Sequence, residues 1–289
     1  MIDSKLPNDI GLVLEGGGFR GMYTAGVLDA FLQQELYFKY VIGVSAGADY
    51  GVSYVSRQLG RNLTVNEYVS DPNYCSWYHL LSKGEYFNDD FIYRYLPEHL
   101  VPFDFDTFSS SGVTMKVGLT DCNTGTSDFK MLDATDKDRF ATLLSATSSL
   151  PVIARPKQID NTFYMDGGIS DSIPVQQAFN DGHKRLVVIL TRDSAYRKDQ
   201  VKFLPFWKRH YRHYPLLAEA IINRAAQYNQ TLDLIAKLEK EGSIYVIRPN
   251  ETLPVSRMEN KPKRLEKVYH MGLEQMNMEI DRLKAWIGI

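Results

Sequence analysis

The chain has 289 residues, with 33 Lys and Arg against 35 Asp and Glu, 44% hydrophobic and 24% charged residues. That usage excludes a disordered or fibrous chain, and a net charge of −2 gives no electrostatic case for nucleic acid as a partner. Two cysteines, Cys75 and Cys122, without CxxC spacing exclude a disulfide framework and point to a reducing compartment.

In chain order, Ile10 to Leu14 is an apolar run closed by glycines, as in a strand buried on both faces of a parallel sheet. The run is too short for a signal-peptide core, and no stretch is long enough to span a bilayer. The expectation is a cytoplasmic protein that meets lipid, if at all, peripherally from the membrane surface. Met22 to Gln33 sets Val27, Leu28, Phe31 and Leu32 at helical spacing. Tyr40 to Val44 reads as a second buried strand and Ala46 to Gln58 as a second helix. This βαβα start predicts a mostly parallel sheet covered by helices on both faces.

Residues 60–112 are rich in aromatics with weak periodicity and read as the helices and loops of a cap or insertion. Strands are predicted over Val113 to Thr120 and Ser127 to Leu132, joined by the Asn-Thr-Gly turn at 123–125. A helix over Lys137 to Ser148 stops at Pro151. Thr162 to Met165 is a short strand and Arg185 to Thr191 a strong one. The texture then changes, and the boundary is drawn at 1–195 for a catalytic domain and 196–289 for a mainly helical extension packed on it. The extension holds a basic aromatic segment (Tyr196 to Tyr214), a helix over Leu216 to Lys240, a strand at Ile244 to Ile247 and a charged amphipathic tail from Glu259 to Ile289.

Three motifs carry chemistry. Gly16-Gly17-Gly18-Phe19-Arg20-Gly21 follows a strand and opens a helix, so backbone N–H groups can converge on an anion at a helix N-terminus. It satisfies GxGxxG, but the second strand ends in Gly43-Val44-Ser45 rather than in the acidic residue that would hold a ribose. No Lys-Ser/Thr follows the glycines, so a Walker loop also fails. What the second strand does carry is Gly43-Val44-Ser45-Ala46-Gly47, a GxSxG between strand and helix, the setting of a nucleophile elbow. The bland alternative is a turn whose serine caps the helix. Asp166-Gly167-Gly168 closes a strand; alone it reads as a turn, but beside a nucleophilic serine its carboxylate is a candidate base.

Together and in this order the three motifs resemble those of the patatin-like phospholipase family, over about residues 9–192. The resemblance implies an α/β fold, a patatin-like three-layer α/β/α sandwich with a mostly parallel central sheet and added C-terminal helices. It implies a serine lipid acyl hydrolase of phospholipase A or lysophospholipase type, with Ser45 as nucleophile, Asp166 as base, and Gly16, Gly17, Gly18, Arg20 and Gly21 as the oxyanion loop. Ser148-Ser149-Leu150-Pro151 resembles the family's small-residue helix end. Asp49 departs from it, standing where many members carry an apolar residue, as do Asp171 and Ser172 where plant members often carry asparagine.

Two other readings compete. A His-assisted esterase or thioesterase would use a histidine after Asp166, of which there are four: His183, His210, His213 and His270. A catalytically silent lipid-binding module would keep the fold without the chemistry. No metal-binding spacing is present, and no cofactor or metal is expected. The expected partner is a lipid or ester substrate. Aromatics interleave with basic residues over Lys202 to Arg212, which suits an anionic bilayer; packing beneath the C-terminal helices is the favoured reading. Tyr74, Trp77, Tyr78, Phe87 and Phe91 are read as core, with an acyl channel as the alternative.

Overall fold

The computed structural model describes residues 6–289. Strand β1 (Ile10–Leu14) is followed by a 3-10 turn, Gly18–Gly21, and helix α1 (Met22–Gln33). Strand β2 (Tyr40–Val44) runs into α2 (Ala46–Val55), which ends three residues earlier than the spacing predicts. The aromatic stretch forms α3 (Arg61–Asn66), α4 (Trp77–Lys83), a π-helical segment Phe91–Leu100 and α5 (Phe105–Ser110). Then come β3 (Thr114–Asp121), β4 (Ser127–Met131) and α6 (Lys137–Thr147), the last capped by the Asp136 carboxylate accepting the Arg139 N–H at 2.9 Å.

A short strand that periodicity missed, β5 (Lys157–Ile159), hairpins with β6 (Thr162–Asp166). The chain continues through α7 (Val175–Asn180), β7 (Arg185–Ile189), α8 (Leu204–His210), α9 (Pro215–Lys240), β8 (Ile244–Ile247) and α10 (Pro262–Ile287). Both long helices start on proline, whose missing N–H costs nothing in the first turn.

The strands form one sheet in the order β5-β6-β3-β2-β1-β7-β8, with β4 paired to β3. The five strands β3, β2, β1, β7 and β8 are mutually parallel, whereas β4, β5 and β6 join antiparallel. In the central strands successive apolar residues feed opposite faces. Leu12, Leu14, Val187 and Ile189 join the core shared with α1, α2, α6 and α10; Val13, Leu186 and Val188 join the one beneath α7 and α9. A continuous apolar run therefore serves two helical layers, giving three layers in all.

The stretch 196–289 is woven into this architecture. Strand β8 extends the sheet beside β7, and α10 lies across α1 at backbone contact. A Cβ on Gly26 would stand 2.0 Å from the Tyr269 carbonyl oxygen, and one on Gly272 would stand 2.1 Å from that of Tyr23. Beside this crossing the Tyr269 hydroxyl donates to the buried Asp29 carboxylate at 2.6 Å.

Candidate active site

The sheet's strand order reverses at β1, with β2 and β3 on one side and β7 and β8 on the other. Loops at the carboxyl ends of strands beside such a reversal form a crevice, the usual place for a ligand in open α/β sheets. Leu14, the last residue of β1, pairs with Gly43 of β2 and Ile189 of β7, so the glycine loop, Ser45 and Thr191 emerge together.

Ser45 sits in the sharp turn between β2 and α2 with φ 53° and ψ −130°. Positive φ at a residue with a Cβ is strained by about 1–3 kcal/mol and persists only where the surroundings enforce it. Here they do. The Ser45 N–H donates to the Thr147 hydroxyl at 2.9 Å, and that hydroxyl donates to the Gly118 carbonyl at 2.5 Å. Two residues on, Gly47 lets α2 press against β1, since a Cβ there would lie 2.6 Å from the Leu14 carbonyl oxygen.

The partner arrives through sheet register. Val44 pairs with Gly118, and the next residue of β3, Leu119, pairs with Asp166 of β6. Asp166 is thereby level with Ser45 across β3. Gly167 makes the approach feasible, because a Cβ there would fall 2.1 Å from the Gly118 carbonyl oxygen. The Ser45 hydroxyl donates to Asp166 Oδ2 at 2.9 Å, and Oδ1 accepts the Gly168 N–H at 2.7 Å. The two sequence-predicted residues, 121 positions apart, thus meet through a hydrogen bond. Burial holds the Asp166 carboxyl above its ordinary pKa, opposed by Arg224, by the Ser45 and Gly168 hydrogen bonds and by Arg257.

The glycine loop divides its roles. The Gly16 N–H donates to the Ser172 carbonyl at 3.1 Å and the Phe19 N–H to the Arg257 carbonyl at 3.2 Å. Between them, the N–H groups of Gly17 and Gly18 find no acceptor among the described residues, and both glycines line a small polar cavity with Ser45 and Asp166. Arg20 projects into the same cavity; Gly21 lies outside it and instead admits the Tyr50 ring, 2.6 Å from where its Cβ would be.

Two cavities meet at Ser45. The apolar one, about 150 Å³, extends from Ser45 past Tyr74, Phe87, Ile92, Leu96 and Phe103. Tyr74 and Phe87 are therefore cavity lining as well as core, whereas Trp77 and Tyr78 are 66% and 75% exposed and belong to neither. The polar one carries Arg20, Arg192, Lys198, Arg224 and Arg257. The last four went unnoticed in the sequence, as did Glu15, whose carboxylate takes the Thr191 N–H and hydroxyl and the Tyr228 hydroxyl. A signal was present in Arg192, which directly follows the strand expected over Arg185 to Thr191, at its carboxyl end, where ligand-contacting residues collect in parallel sheets. None of the six histidines lines either cavity. Among the described residues no group of three or more His, Cys, Asp or Glu is placed to hold a metal ion.

A family model for patatin-like phospholipases matches residues 12–179, more than half of the chain. The chain belongs to the patatin-like phospholipase family. Hydrolysis of carboxylic esters is thus its class of reaction, with a lipid or ester substrate. A second model, for a domain of unknown function, matches residues 214–288. The chain is 26% identical over 279 residues to the uncharacterized protein YjjU of Escherichia coli (strain K12), covering 92% of this chain and 75% of that one. It is 22% identical over 212 residues to probable lipid hydrolase 463L of Invertebrate iridescent virus 6, covering 65% and 72%. Among solved structures, VipD from Legionella pneumophila superimposes with a TM-score of 0.46 at 14% identity, over 96% of this chain and 67% of that one.

Asp49, in the first turn of α2 after Ser45, also lines the apolar cavity. Its Oδ2 accepts the Ser148 hydroxyl at 2.7 Å and the Tyr93 hydroxyl at 3.4 Å, while Oδ1 is buried with no partner. Burial outweighs those hydrogen bonds and pushes its pKa up to about 7. A folded-state pKa above the unfolded value of about 3.9 means that the folded protein binds the extra proton. Stability contributed by this group is therefore lost as pH rises from about 4 to about 7 and is flat above that, by on the order of 4 kcal/mol. Denaturant titrations of wild type and Asp49→Asn across that range should diverge as pH rises, the asparagine protein becoming relatively more stable. Parallel curves would show that Asp49 stays ionised.

Proposed function

We propose that this protein is a serine acyl hydrolase of phospholipase A or lysophospholipase type, working through a Ser45-Asp166 dyad. The observation that carries the reading is the 2.9 Å hydrogen bond from the Ser45 hydroxyl to Asp166, placed where an apolar cavity meets a cationic one. An acyl chain enters the first while the alcohol moiety of the ester stays in the second, with the carbonyl carbon at Ser45.

Asp166 accepts the Ser45 proton as Oγ attacks the carbonyl carbon. Negative charge moves to the carbonyl oxygen, toward the unclaimed N–H groups of Gly17 and Gly18. Collapse expels the alcohol, which takes the proton back from Asp166, and leaves an acyl group on Ser45. Water then attacks that ester with Asp166 again accepting a proton, and collapse breaks the acyl–Oγ bond, Ser45 Oγ taking that proton from Asp166 as the carboxylic acid leaves. In this scheme Gly16 and Gly21 shape the loop rather than donate, and Arg20 faces the leaving group. Residues 1–195 supply the dyad and donors, and 196–289 complete the leaving-group side through Lys198, Arg224 and Arg257.

Contact with a bilayer has a surface to act through. Phe203, Leu204 and Phe206 are exposed, against the sequence expectation that this segment packs beneath the C-terminal helices; only Tyr211 is buried there and Trp207 partly so. The segment is tied to the cavity mouth, because the Tyr211 hydroxyl accepts the Val152 N–H at 3.1 Å, two residues from the cavity-lining Leu150. Among the described residues no helix is long and apolar enough to cross a membrane.

A fluorophosphonate probe tests the nucleophile directly. Wild type should be labelled stoichiometrically, with the adduct on the peptide carrying Ser45, and Ser45→Ala should stay unlabelled. Equal labelling of both proteins would remove Ser45 from the role.

A further inference from the structure

The polar cavity beside Ser45 holds more positive charge than ester cleavage requires. Arg20, Arg192, Lys198, Arg224 and Arg257 all line it. None of their side chains forms an ion pair with a carboxylate among the described residues, although twelve pairs of Lys or Arg with a carboxylate occur elsewhere among them. The Nε atoms of Arg20, Arg192 and Arg224 are shut away from solvent with no hydrogen-bond partner. Guanidinium donors left unpaired inside a protein are costly, and crowding like charges adds to that cost. The single carboxylate on this side besides Asp166 is Glu15, and Thr191 and Tyr228 occupy it.

The cluster is built into the fold from distant segments. Arg192 follows β7, Lys198 lies in the loop beyond it, Arg224 projects from α9, and Arg257 lies in the loop that returns from β8. That loop crosses the glycine turn, where the Arg257 carbonyl accepts the Phe19 N–H. The cavity opens outward into a larger hollow of about 830 Å³ bearing the same five cations with Arg264. Two carboxylates appear only in that hollow: Asp199, and Glu259, which Arg264 holds at 2.8 Å. Burial and cationic neighbours also press on the cluster's own protons, Lys198 being drawn down to about 7 and Arg20 to about 10.

Resting on the hydrolase reading above, we infer that this cavity receives the phosphate of an anionic phospholipid head group, and that the enzyme selects such lipids over choline lipids. Unpaired guanidinium groups suit phosphate oxygens in geometry and charge. A quaternary ammonium finds nothing comparable inside the cavity, where Glu15 and Asp166 are hydrogen-bonded, and the outer hollow sets Asp199 among six cations. Such an ammonium needs an exposed aromatic face or a free carboxylate, and the two tyrosines of the cavity already carry cations. Arg192 lies over the Tyr196 ring and Lys198 over the Tyr228 ring, each 4.2 Å from the centroid.

The test compares short-chain lipids with identical acyl groups, such as the dihexanoyl forms of phosphatidic acid, phosphatidylglycerol and phosphatidylcholine, with a p-nitrophenyl ester as the head-free substrate. The kcat/KM for the two anionic lipids should exceed that for the choline lipid by about tenfold or more, an advantage that shrinks in high salt. Arg257→Gln alters an exposed side chain and should narrow the anionic-to-choline ratio severalfold, chiefly through KM; Lys198→Gln should do the same. Equal kcat/KM for all three lipids, with the p-nitrophenyl ester still cleaved, would overturn head-group selection and leave the hydrolase intact. Should none of the esters be cleaved, binding of the same lipids to Ser45→Ala protein decides: tighter anionic binding supports the inference and equal binding overturns it. Inorganic phosphate separates lipid from free anion. Competition with the anionic lipids supports the head-group site, whereas a rise in kcat on the p-nitrophenyl ester without competition would assign the cavity to a regulatory anion and overturn the inference.

Discussion

Replacing Asp166 by asparagine is expected to lower kcat by about four orders of magnitude while the fold persists. The asparagine amide keeps the volume and can still accept the Gly168 N–H, but it cannot take the serine proton. Ser45→Ala should lose as much or more, and the double variant should be no worse than the more severe single one, because the two side chains act on one proton. Additive losses would mean that each serves a separate role. The pH profile adds a signed test. A base must be ionised to work, so activity should rise with pH through the Asp166 titration. The midpoint should stand above the ordinary carboxylate value of about 3.9, since burial raises it. Arg224 is the first of the influences that oppose that rise, ahead of the Ser45 and Gly168 hydrogen bonds and Arg257, so Arg224→Gln should move the acid limb to still higher pH. A limb that ignores Arg224, or that vanishes on replacing one histidine, would contradict the dyad.

The second large effect concerns stability. Gly26→Val should lower it by about 3 kcal/mol, read as a fall in Tm of roughly 5–10 °C. The crossing of α1 and α10 leaves no room for a side chain, because Gly26 and Gly272 each face the other helix's backbone at about 2 Å from an ideal Cβ position. Any added carbon must spread two helices that share the core of Leu28, Phe31, Leu265 and Met276. Met278→Val on the exposed side of α10 is the matching control and should stay within about 0.5 kcal/mol of wild type. Wild-type stability for Gly26→Val would show that the crossing is loose. Since α1 begins at Met22, directly after the glycine loop, a spread crossing should also weaken esterase activity before the protein unfolds.

The reading of the chain was best where burial is periodic and the turn chemistry local. The bounds of β1, α1, β2 and β8 follow from apolar runs, helical spacing and glycine or proline stops. The strand β5 escaped because three residues, Lys157–Ile159, carry no period, and because its place at the edge of the sheet demands few apolar side chains. The basic aromatic segment was read only in part, Trp207 and Tyr211 packing against α9 as expected and Phe203 and Phe206 not, for a related reason. Composition gives a mean tendency to bury, while exposure of Phe203 and Phe206 depends on which neighbours reach them.

Sequence by itself determined the family, the sheet's parallel centre and the identity of the serine, aspartate and glycine turns, because each of those is written in a few consecutive residues whose backbone geometry tolerates few substitutes. Only the tertiary structure decided that the serine and aspartate touch, which amides stay free, and that four cations from beyond residue 190 close around Glu15 and Arg20. Charged residues on helices and loops look alike in sequence whether solvent or a cavity faces them. The bond from Tyr228 of α9 to Glu15 and the return of the β8 loop across the glycine turn bring them to the cavity, and both contacts join positions more than 200 residues apart.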